Sequence, residues 1–415
     1  MKREMLTGDA AAAWAVRLAE VDYITAYPIT PQTEIIEALA MWIAEGEMAS
    51  KFVIMDSEHS MIAAAGAASA TGVRAFTATS SQGLLYGFEM LYAVAGWRVP
   101  LVLVNVSRGL SAPITLEPDH NDVLAARDSG FLQIHCETCQ EVLDSILMAY
   151  RLAEDERVLL PIIVNLDGFY LSFTREPVEV PDAERVNAFL PHYRPKHAFF
   201  RASQPMAQGV AVLGGSYYSY FKYQMHLASR KALEVYNEVC ADFEATFGRT
   251  YGAIEGYLLD DAELVLVMTN SFSTLGKAAV TAARKRGTKA GLLRIRLLRP
   301  FPDAVIKDAL KNRKAVAVID QNISIGKGGI LHAEVASCLC NEHQGPLVLS
   351  FIGGLGGKNI STDEFAFIFD KMREAVDTGE VRPTHHLLYT EKEWDEMRRL
   401  KEIAEKGGTI WSQNK

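Results

Sequence analysis

The strongest constraint on the fold is a regular alternation of short apolar runs and helical patterns through roughly the first 180 residues. Five apolar runs predict strands, at residues 23–26, 51–55, 75–79, 101–106 and 162–166. Four intervening stretches predict helices, at residues 33–44, 58–72, 84–96 and 140–153. The almost continuously apolar fourth run is typical of a parallel strand buried on both faces. The alternation therefore predicts a doubly wound α/β domain.

The alternation stops after residue 167 and resumes only near residue 261. Residues 175–210 hold five prolines and little periodicity, so we interpret them as a connecting arm. Residues 217–247 predict a long helix with an aromatic start, which would pack against a partner or the main domain; a ligand-binding role is the alternative. A second α/β unit and a final charged helix are then predicted, with strands at 264–268, 290–293, 315–319 and 349–352, a helix at 273–286, and a surface helix from about residue 391.

Composition and charge narrow the functional classes. The 415 residues exceed the usual size of one domain, so we expect two domains. The net charge of −9 argues against a nucleic-acid-binding surface and against a polybasic membrane patch. Acidic residues interrupt the alanine-rich N-terminus, which excludes a signal peptide, and no run of about 18 apolar residues predicts a membrane span. We expect a cytoplasmic protein with neither nucleic acid nor membrane as a partner.

The five cysteines are too few and too scattered for a disulfide framework. Cys136 and Cys139 form one C-x-x-C pair, whereas an iron–sulfur cluster needs further thiolates in a tight run. Two interpretations of the pair stay open, namely a thioredoxin-like redox role and two ordinary thiols at the start of a helix.

The first candidate motif, residues 27–33, joins the first predicted strand to the first predicted helix. In doubly wound sheets, ligands bind at the carboxyl ends of strands. Pro28 and Pro31 fix φ and stiffen the loop that carries Thr30, so the Thr30 hydroxyl is a candidate ligand contact. The alternative is a prolyl turn in which Thr30 or Thr33 caps the helix.

The second motif, residues 56–60, follows the next predicted strand and contains Glu58. An acid in this position often caps a helix. The functional alternative concerns thiamine diphosphate, which must lose the proton on its thiazolium C2. A glutamate hydrogen-bonded to the pyrimidine N1′ favours the imino tautomer that removes this proton, and an apolar crevice favours the protonated acid that the role requires.

The third motif, residues 77–83, also ends a predicted strand. Ser80, Ser81, Gln82 and Gly83 combine small or polar side chains with a glycine, which lets a ligand approach the backbone closely. A loop that only caps the following helix is the alternative.

The fourth motif contains Arg108 and follows the buried strand at 101–106. An arginine at the end of a buried strand needs an anion, and its guanidinium fork matches the carboxylate of a 2-oxoacid. A structural salt bridge is the alternative. The loop at 114–122 is rich in potential ligands, but it lacks the spacing of a metal motif, so we predict no metal site there.

Two missing motifs bear on the function. Thiamine enzymes that hold the diphosphate bind Mg²⁺ through a Gly-Asp-Gly motif, and the sequence contains no Gly-Asp-Gly and no P-loop. If the protein works on thiamine diphosphate, another chain must hold the diphosphate and Mg²⁺.

In order and along nearly the whole chain, the sequence resembles the α subunits of 2-oxoacid:ferredoxin oxidoreductases, most closely the pyruvate:ferredoxin oxidoreductases with separate subunits. The strings that carry the resemblance are YPITPQT, DSEHS, FTATSSQG, SRGLSAP, ARDSGF, DERVLLP, LLRPFP, NISIGKGG and IGGLGGKNI. It implies a thiamine-pyrimidine-binding domain at residues 1–240 with a connecting arm at 175–250, a domain like the C-terminal domain of transketolase at 255–385, and a charged tail at 386–415.

The resemblance also implies partners and a reaction. A β subunit would bind the diphosphate, Mg²⁺ and a [4Fe-4S] cluster, and γ and δ subunits would complete the complex. A 2-oxoacid would be oxidatively decarboxylated to acyl-CoA and CO₂ with coenzyme A as co-substrate. Electrons would pass through iron–sulfur clusters in the partner subunits to ferredoxin or to an NAD-linked flavin subunit.

Roles for individual residues follow from the same resemblance. Glu58 would bind the pyrimidine N1′, and Thr30 and Arg108 would hold the 2-oxoacid. The remaining cofactor pocket would be lined by Tyr27, Pro28, Ile29, Ser80, Ser81, Gln82 and Gly83. The substrate pocket would also include Leu116, His120 and Asn121.

One departure from the family pattern leaves the substrate open. Residues 115–122 replace the aromatic-rich stretch of the pyruvate enzymes, so both pyruvate and a branched-chain or aryl 2-oxoacid such as phenylglyoxylate fit the sequence. The competing interpretations are a non-redox thiamine enzyme of transketolase or decarboxylase type, a non-catalytic scaffold subunit, and a plain NAD-binding Rossmann protein.

Overall fold

The computed structural model describes residues 2–197, 199–340, 342 and 345–413. Its first part contains, in chain order, β1 (Lys2–Leu6), α1 (Gly8–Leu18), β2 (Tyr23–Ala26), α2 (Thr33–Ala44), β3 (Lys51–Ile54), α3 (Glu58–Ser69), β4 (Ala75–Thr79), α4 (Ser81–Tyr86), α5 (Phe88–Trp97), β5 (Leu101–Ser107), α6 (Asn121–Ala125), β6 (Leu132–His135), α7 (Cys139–Ala153), β7 (Ile162–Asp167), β8 (Glu176–Val180), α8 (Ala183–Phe189) and α9 (Gly215–Phe247).

The second part continues with β9 (Ile254–Tyr257), β10 (Leu264–Met268), α10 (Ser273–Lys285), β11 (Ala290–Ile295), β12 (Leu297–Arg299), α11 (Asp303–Leu310), β13 (Ala315–Asp320), α12 (Ile330–Leu339), β14 (Leu347–Ile352), α13 (Thr362–Thr378), β15 (His386–Leu387) and α14 (Glu391–Gln413). Short 3-10 turns lie at Ala126–Asp128 and Leu355–Gly357.

A seven-stranded sheet forms the centre of the first unit, in the order β12-β6-β7-β5-β4-β2-β3. Its strands are parallel except β12, which the second unit contributes and which pairs antiparallel with β6. The central strands β4, β5 and β7 are buried along their whole length, as expected when helices cover both faces. The predicted doubly wound α/β fold is therefore confirmed. Because parallel strands end at one edge, the loops after β2, β3, β4 and β5 meet there.

A six-stranded sheet forms the second unit, in the order β15-β14-β13-β10-β11-β9. Its pairs are parallel except for β9, which runs antiparallel to β11. Strands β1 and β8 form a separate antiparallel pair. The predicted second α/β unit is confirmed, with each predicted strand lying within an observed one.

The structure adds detail to two predictions about local structure, of which the first was wrong. The single helix expected at 84–96 is divided at Gly87 into α4 and α5. A Cβ at residue 87 would lie 2.4 Å from Cδ1 of Ile62, so the backbone packs directly on α3 at this point. The arm at 175–210 contains β8 and α8. The pairing of β8 with β1 joins residues far apart in sequence, which no local pattern reveals.

The long helix α9 is confirmed, but its aromatic start does not pack against the main domain. Five aromatic side chains there are between 54% and 69% exposed, namely Tyr217, Tyr218, Tyr220, Phe221 and Tyr223. The second half of α9 is buried against the first unit through residues such as Ala232, Tyr236 and Phe243. Although α9 has 33 residues, neither it nor another helix in the described ranges combines the length and apolarity needed to cross a membrane.

The C-x-x-C cysteines are buried. Cys139 begins α7 and Cys136 lies just before it, and both thiols are free. Burial raises the pKa of Cys136 to about 12 and also raises the pKa of Cys139. Neither cysteine is therefore ionised to a thiolate near neutral pH. Of the two interpretations left open, the structure favours ordinary structural thiols.

A buried ion cluster joins the two α/β units. Glu141, in the first turn of α7, accepts hydrogen bonds from Nη2 of Arg294 at 2.8 Å and from Nε of Arg296 at 2.5 Å. The Arg296 guanidinium also lies 4.4 Å from the ring centroid of Tyr251. Burial alone would raise the pKa of Glu141, but the two guanidinium groups outweigh it and hold this pKa at about 2. Glu141 of the first unit is therefore ionised near neutral pH, and it pairs with two arginines of the second unit.

Replacement Glu141→Gln should leave two buried guanidinium groups without their shared anion and lower the free energy of unfolding by about 3–5 kcal/mol. Because the folded-state pKa lies below the ordinary value, this contribution is complete above about pH 5 and is lost as the pH falls through the folded pKa. Urea unfolding of the full chain at pH 7 and pH 3 should show the difference from wild type shrinking at the lower pH. The control Glu238→Gln removes an exposed pair with Arg157 and should barely move the urea midpoint. Equal losses in both variants would contradict a structural role for the cluster.

Candidate functional site at the carboxyl edge of the first sheet

The candidate site is assembled from the loops that follow four neighbouring parallel strands. Thr30 follows β2, Glu58 follows β3, Gly83 follows β4 and Arg108 follows β5. Strand order β5-β4-β2-β3 makes these loops spatial neighbours, although up to about 80 residues separate them in sequence. The fold thus brings the predicted catalytic motifs to one edge of one sheet.

Glu58 is the first residue of α3, and its carboxylate is not used as a helix cap. Ser57 is the N-cap residue, and its hydroxyl accepts a hydrogen bond from the backbone N–H of Ser60 at 3.2 Å. Glu58 is only 5% exposed, and no group among the described residues hydrogen-bonds its carboxylate. Buried polar groups are almost always paired. The capping interpretation of Glu58 is therefore wrong, and its carboxylate is free for a ligand.

Gly83 forms a cradle beside this carboxylate. A Cβ at residue 83 would lie 2.5 Å from Oε1 of Glu58 and 2.5 Å from Oγ1 of Thr79. Only glycine fits a position where two oxygens converge so closely on the backbone. Oγ1 of Thr79 is itself buried without a hydrogen-bond partner. Thr79 lay inside a predicted motif, but its sequence position gave no sign that its hydroxyl would face Glu58.

Arg108 links the neighbouring loops through its guanidinium group. Nη1 donates to the carbonyl oxygen of Thr30 at 2.7 Å, and Nη2 donates to Oε1 of Gln82 at 2.6 Å. Its Nε is buried without a partner, and no carboxylate among the described residues forms a salt bridge with it. Burial lowers the pKa of Arg108, and the nearby charge of Asp122 only partly offsets this effect. The salt-bridge interpretation is therefore wrong, and the cation lacks a directly bound anion.

A side-chain hydrogen bond holds the backbone of the loop after β2. Nε2 of the buried Gln32 donates to the carbonyl oxygen of Tyr27 at 3.0 Å. Gln32 is also the N-cap residue of α2 and makes no side-chain cap bond, so neither Thr30 nor Thr33 caps this helix. Thr30 and Pro28 are exposed, while Tyr27 and Ile29 are half-buried. The structure therefore leaves the Thr30 hydroxyl at the open edge of the site.

Three side chains fasten the loop after β4 to the end of β5 and to the loop that follows it. Oγ of Ser80 donates to the carbonyl oxygen of Val106 at 2.6 Å, and Oγ of Ser81 donates to the carbonyl oxygen of Gly109 at 2.9 Å. Nε2 of Gln82 donates to Oγ of Ser111 at 2.6 Å. These bonds make the two loops one continuous wall of the site.

The structure separates the three residues predicted to line a substrate pocket. Leu116 is 46% exposed on the loop that folds back over Gly109, where the Gly109 backbone N–H donates to the carbonyl oxygen of Glu117 at 3.0 Å. His120 is fully buried behind the loop, and Asn121 is tied to the second unit because its Oδ1 accepts from the backbone N–H of Ile323 at 3.1 Å.

His120 belongs to a buried polar cluster that sequence reasoning missed. Its Nε2 lies 2.8 Å from Oδ1 of Asp167. Burial favours the neutral ring, but the Asp167 charge outweighs it and raises the pKa of His120. Asp167 also accepts hydrogen bonds from Ser271 and Asn270 of the second unit. The only sequence signal for this cluster was polar residues ending otherwise apolar strands.

The arrangement offers two complementary groups to a ligand: an unpaired buried carboxylate after β3 and a partly unpaired guanidinium after β5, at the same edge of the sheet. Within the described ranges, no three or more His, Cys, Asp or Glu side chains are placed to hold a metal ion. The edge of the sheet therefore offers a hydrogen-bond acceptor and a positive charge to a ligand.

Two family models match the chain. The model described as "Pyruvate flavodoxin/ferredoxin oxidoreductase, thiamine diP-bdg" matches residues 14–240, more than half of the chain. The model described as "Pyruvate:ferredoxin oxidoreductase core domain II" matches residues 262–365. Glu58 and Arg108 both lie within the first match.

Full-length relatives are similar to the chain almost from end to end. The pyruvate synthase subunit PorA of Methanocaldococcus jannaschii is 45% identical over 377 residues, which cover 90% of this chain and 96% of the relative. PorA of Pyrococcus abyssi is 41% identical over 391 residues, covering 94% and 99%. The ketoisovalerate oxidoreductase subunit VorA of Pyrococcus abyssi is 38% identical over 398 residues, covering 96% and 98%.

Two solved structures share the fold. The 2-oxoglutarate:ferredoxin oxidoreductase from Magnetococcus marinus aligns with a TM-score of 0.67 at 19% identity, covering 90% of this chain, which spans 65% of the length of that chain. A split-gene transketolase in an inactive β4 tetramer aligns with a TM-score of 0.51 at 12% identity, covering 88% and 96%. At these identities the likeness concerns the fold.

Replacement Gly83→Ala should force the Glu58 carboxylate and the Thr79 hydroxyl apart, because the added methyl group would overlap both oxygens. We expect a loss of about 1–3 kcal/mol in the free energy of unfolding, the usual effect of overpacking. Gly96→Ala is the control, since a Cβ there meets nothing within 4 Å. Chemical denaturation of both variants measures the difference, and an undiminished stability in Gly83→Ala would show that the cradle is not tight.

Proposed function

The chain belongs to the 2-oxoacid:ferredoxin oxidoreductase family as an α subunit of the separate-subunit type, and from this premise we propose that Glu58 and Arg108 form its half of the active site. The family uses thiamine diphosphate and coenzyme A. Glu58 would hold the pyrimidine end of the cofactor, and Arg108 with Thr30 would hold the 2-oxoacid.

The observation that carries the proposal is the unpaired carboxylate of Glu58. A buried acid 5% exposed and without a protein partner needs a polar group from outside the chain. The adjacent Thr79 hydroxyl is also buried and unpaired, and Gly83 packs so closely on both oxygens that an added methyl group would overlap them. A ring nitrogen of the cofactor would supply the hydrogen-bond partner that Glu58 lacks within the chain.

The role of Glu58 is to hold a proton at the pyrimidine N1′. When bound, thiamine diphosphate supplies the nucleophilic carbon at which a 2-oxoacid loses CO₂. Glu58 contributes by exchanging a proton with the ring nitrogen at the buried start of α3, where water is largely excluded. Tyr27, Pro28 and Ile29 on one side, and the loop of Ser80, Ser81, Gln82 and Gly83 on the other, would line the cofactor.

Arg108 is suited to orient the 2-oxoacid carboxylate. Two of its nitrogens already fix the guanidinium plane through Thr30 and Gln82, so little side-chain freedom remains to be lost on binding. Its Nε is buried without a partner, and no protein carboxylate neutralises the guanidinium charge, which would attract the substrate anion. The loop carrying Leu116 lies beside Arg108 and would contact the substrate side chain, with His120 and Asn121 supporting that loop from behind.

The rest of the active site would come from other chains of the complex. A β subunit would bind the diphosphate, Mg²⁺ and a [4Fe-4S] cluster, and γ and δ subunits would complete the assembly with ferredoxin or an NAD-linked flavin subunit as acceptor. The open edge at Thr30 and the absence of a Gly-Asp-Gly motif in the sequence support this division. Residues 1–240 would then be the thiamine-pyrimidine domain and residues 255–385 the transketolase-like domain.

Replacement Glu58→Gln tests the proposed catalytic role. Because the amide cannot exchange a proton with N1′, turnover of the assembled complex should fall by roughly 10²–10⁴-fold while the subunits still co-purify. The control Glu89→Gln alters an acid on the neighbouring helix α5 whose side chain is 86% exposed, and it should leave turnover unchanged. Turnover is followed with a 2-oxoacid, coenzyme A and a viologen dye. Full activity of Glu58→Gln would instead indicate a non-catalytic scaffold subunit.

We propose pyruvate as the preferred 2-oxoacid, since pyruvate synthase subunits share 45% and 41% identity with the chain and the ketoisovalerate subunit 38%. The native complex should therefore give its highest kcat/KM with pyruvate in a panel that also contains 2-oxoisovalerate and phenylglyoxylate. A higher value with 2-oxoisovalerate would reassign the substrate to the branched-chain class, and activity with none of the acids would contradict the redox function itself.

A further inference from the structure

Asp122 is a buried carboxylate directly behind the proposed active site. It lies in the first turn of α6 and has no solvent exposure. Its two oxygens accept five hydrogen bonds from separate segments. Oδ2 accepts from the backbone N–H of Ser81 at 3.0 Å, Nδ2 of Asn105 at 3.1 Å and the backbone N–H of Arg108 at 3.4 Å; Oδ1 accepts from the backbone N–H of Val123 at 2.7 Å and Oγ of Ser107 at 3.1 Å.

Two of these bonds fix the backbone of the site residues themselves. Ser81 precedes Gln82 and Gly83, which contact Arg108 and Glu58 respectively. Ser81 also has φ of +49°, a left-handed conformation that L residues adopt only when their surroundings hold them there. Because Oδ2 also binds the backbone N–H of Arg108, this oxygen helps to hold the loop of the Gly83 cradle beside the backbone that carries the guanidinium group, together with the bonds from Ser80, Ser81 and Gln82.

We propose that Asp122 is a positioning residue, which holds the loop after β4 and the loop after β5 at the separation that Glu58 and Arg108 require. This inference rests on the proposed function for the roles of Glu58 and Arg108. Asp122 itself touches neither of those side chains, so it would act only through the backbone of Ser81 and Arg108.

The protonation state of Asp122 affects both loops, because the groups around it are hydrogen-bond donors or titratable side chains. Burial raises its pKa to about 6, with a further contribution from the charge of Asp119. The other charged groups that face it are His120 and Arg108. Above about pH 6 the carboxylate accepts hydrogen bonds from the N–H groups around it; below this pH one oxygen carries a proton and loses part of its accepting capacity. Both loops should therefore loosen as the pH falls through this value.

Replacement Asp122→Asn in the complete complex keeps the side-chain volume but turns one acceptor into a donor that faces N–H groups. At pH 8 we expect amide hydrogen exchange of residues 80–83 and 107–109 to rise at least tenfold, and kcat/KM to fall by roughly ten- to a hundredfold, the usual effect of displaced catalytic groups. The acid limb of the kcat/KM profile near pH 6 should also disappear, since the variant has no carboxyl group to titrate.

Asp320→Asn is the matched control. Asp320 is equally buried, has a pKa raised to about 7 by burial, and accepts from the backbone N–H groups of Leu331 and His332 in the second unit. Its replacement should lower the thermal stability by a comparable amount. It should leave the amide hydrogen exchange of residues 80–83 and the acid limb of the kcat/KM profile unchanged. Similar exchange and kinetics in both variants would overturn the proposal and assign Asp122 a purely structural role.

A measurement on the wild-type complex covers the case in which Asp122→Asn does not fold. Protection factors of the Ser81 and Arg108 amides, corrected for intrinsic exchange rates, should decrease between pH 7 and pH 5. Constant protection across this range would overturn the proposal, whatever Glu58→Gln does to turnover. Loosening of both amides together with unaffected turnover in Glu58→Gln would retain Asp122 as the anchor and reject only the proposed catalytic role of Glu58.

Discussion

A buried carboxylate between two guanidinium groups lies at the junction of the two α/β units. Glu141 stays ionised because Arg294 and Arg296 outweigh the effect of burial on its pKa. The same region adds β12 to the edge of the first sheet, so the second unit is joined by backbone as well as by charge. Removing only one partner of such a cluster would leave a buried charge incompletely paired in an apolar surrounding, which costs stability.

The site depends on this junction. The loop that covers Gly109 is held from the second unit, because the backbone N–H of His120 donates to the carbonyl oxygen of Gln321 at 2.9 Å, and the backbone N–H of Gly357 donates to the carbonyl oxygen of Pro118 at 2.8 Å. The second unit thus supplies none of the proposed catalytic side chains, yet it fixes the loop beside Arg108. A transketolase-like unit in this position acts as a support for the first.

The unpaired groups at the carboxyl edge of the first sheet bear on the part of the reaction that we propose for the chain. Glu58 and Thr79 have side-chain oxygens without a protein partner, and Arg108 has an Nε without one. The described residues offer no equivalent set for Mg²⁺. In a complex of several chains, one chain can bind the ring of a cofactor while another binds its diphosphate. This division is possible because the ring and the diphosphate are at opposite ends of the cofactor.

The sequence by itself determined the doubly wound fold, the second α/β unit and the four loops of the site, because periodicity and strand ends are local properties of the chain. It did not determine the pairing of β8 with β1, the division of the helix at Gly87 or the burial of His120, since these depend on contacts between distant residues. Only the tertiary structure decided that Glu58 is buried without a partner, and that Asp122 bonds to the backbone of two loops. The physical reason is that hydrogen-bond partners of a buried polar group are chosen by the fold, whereas the identity of that group is fixed by the sequence.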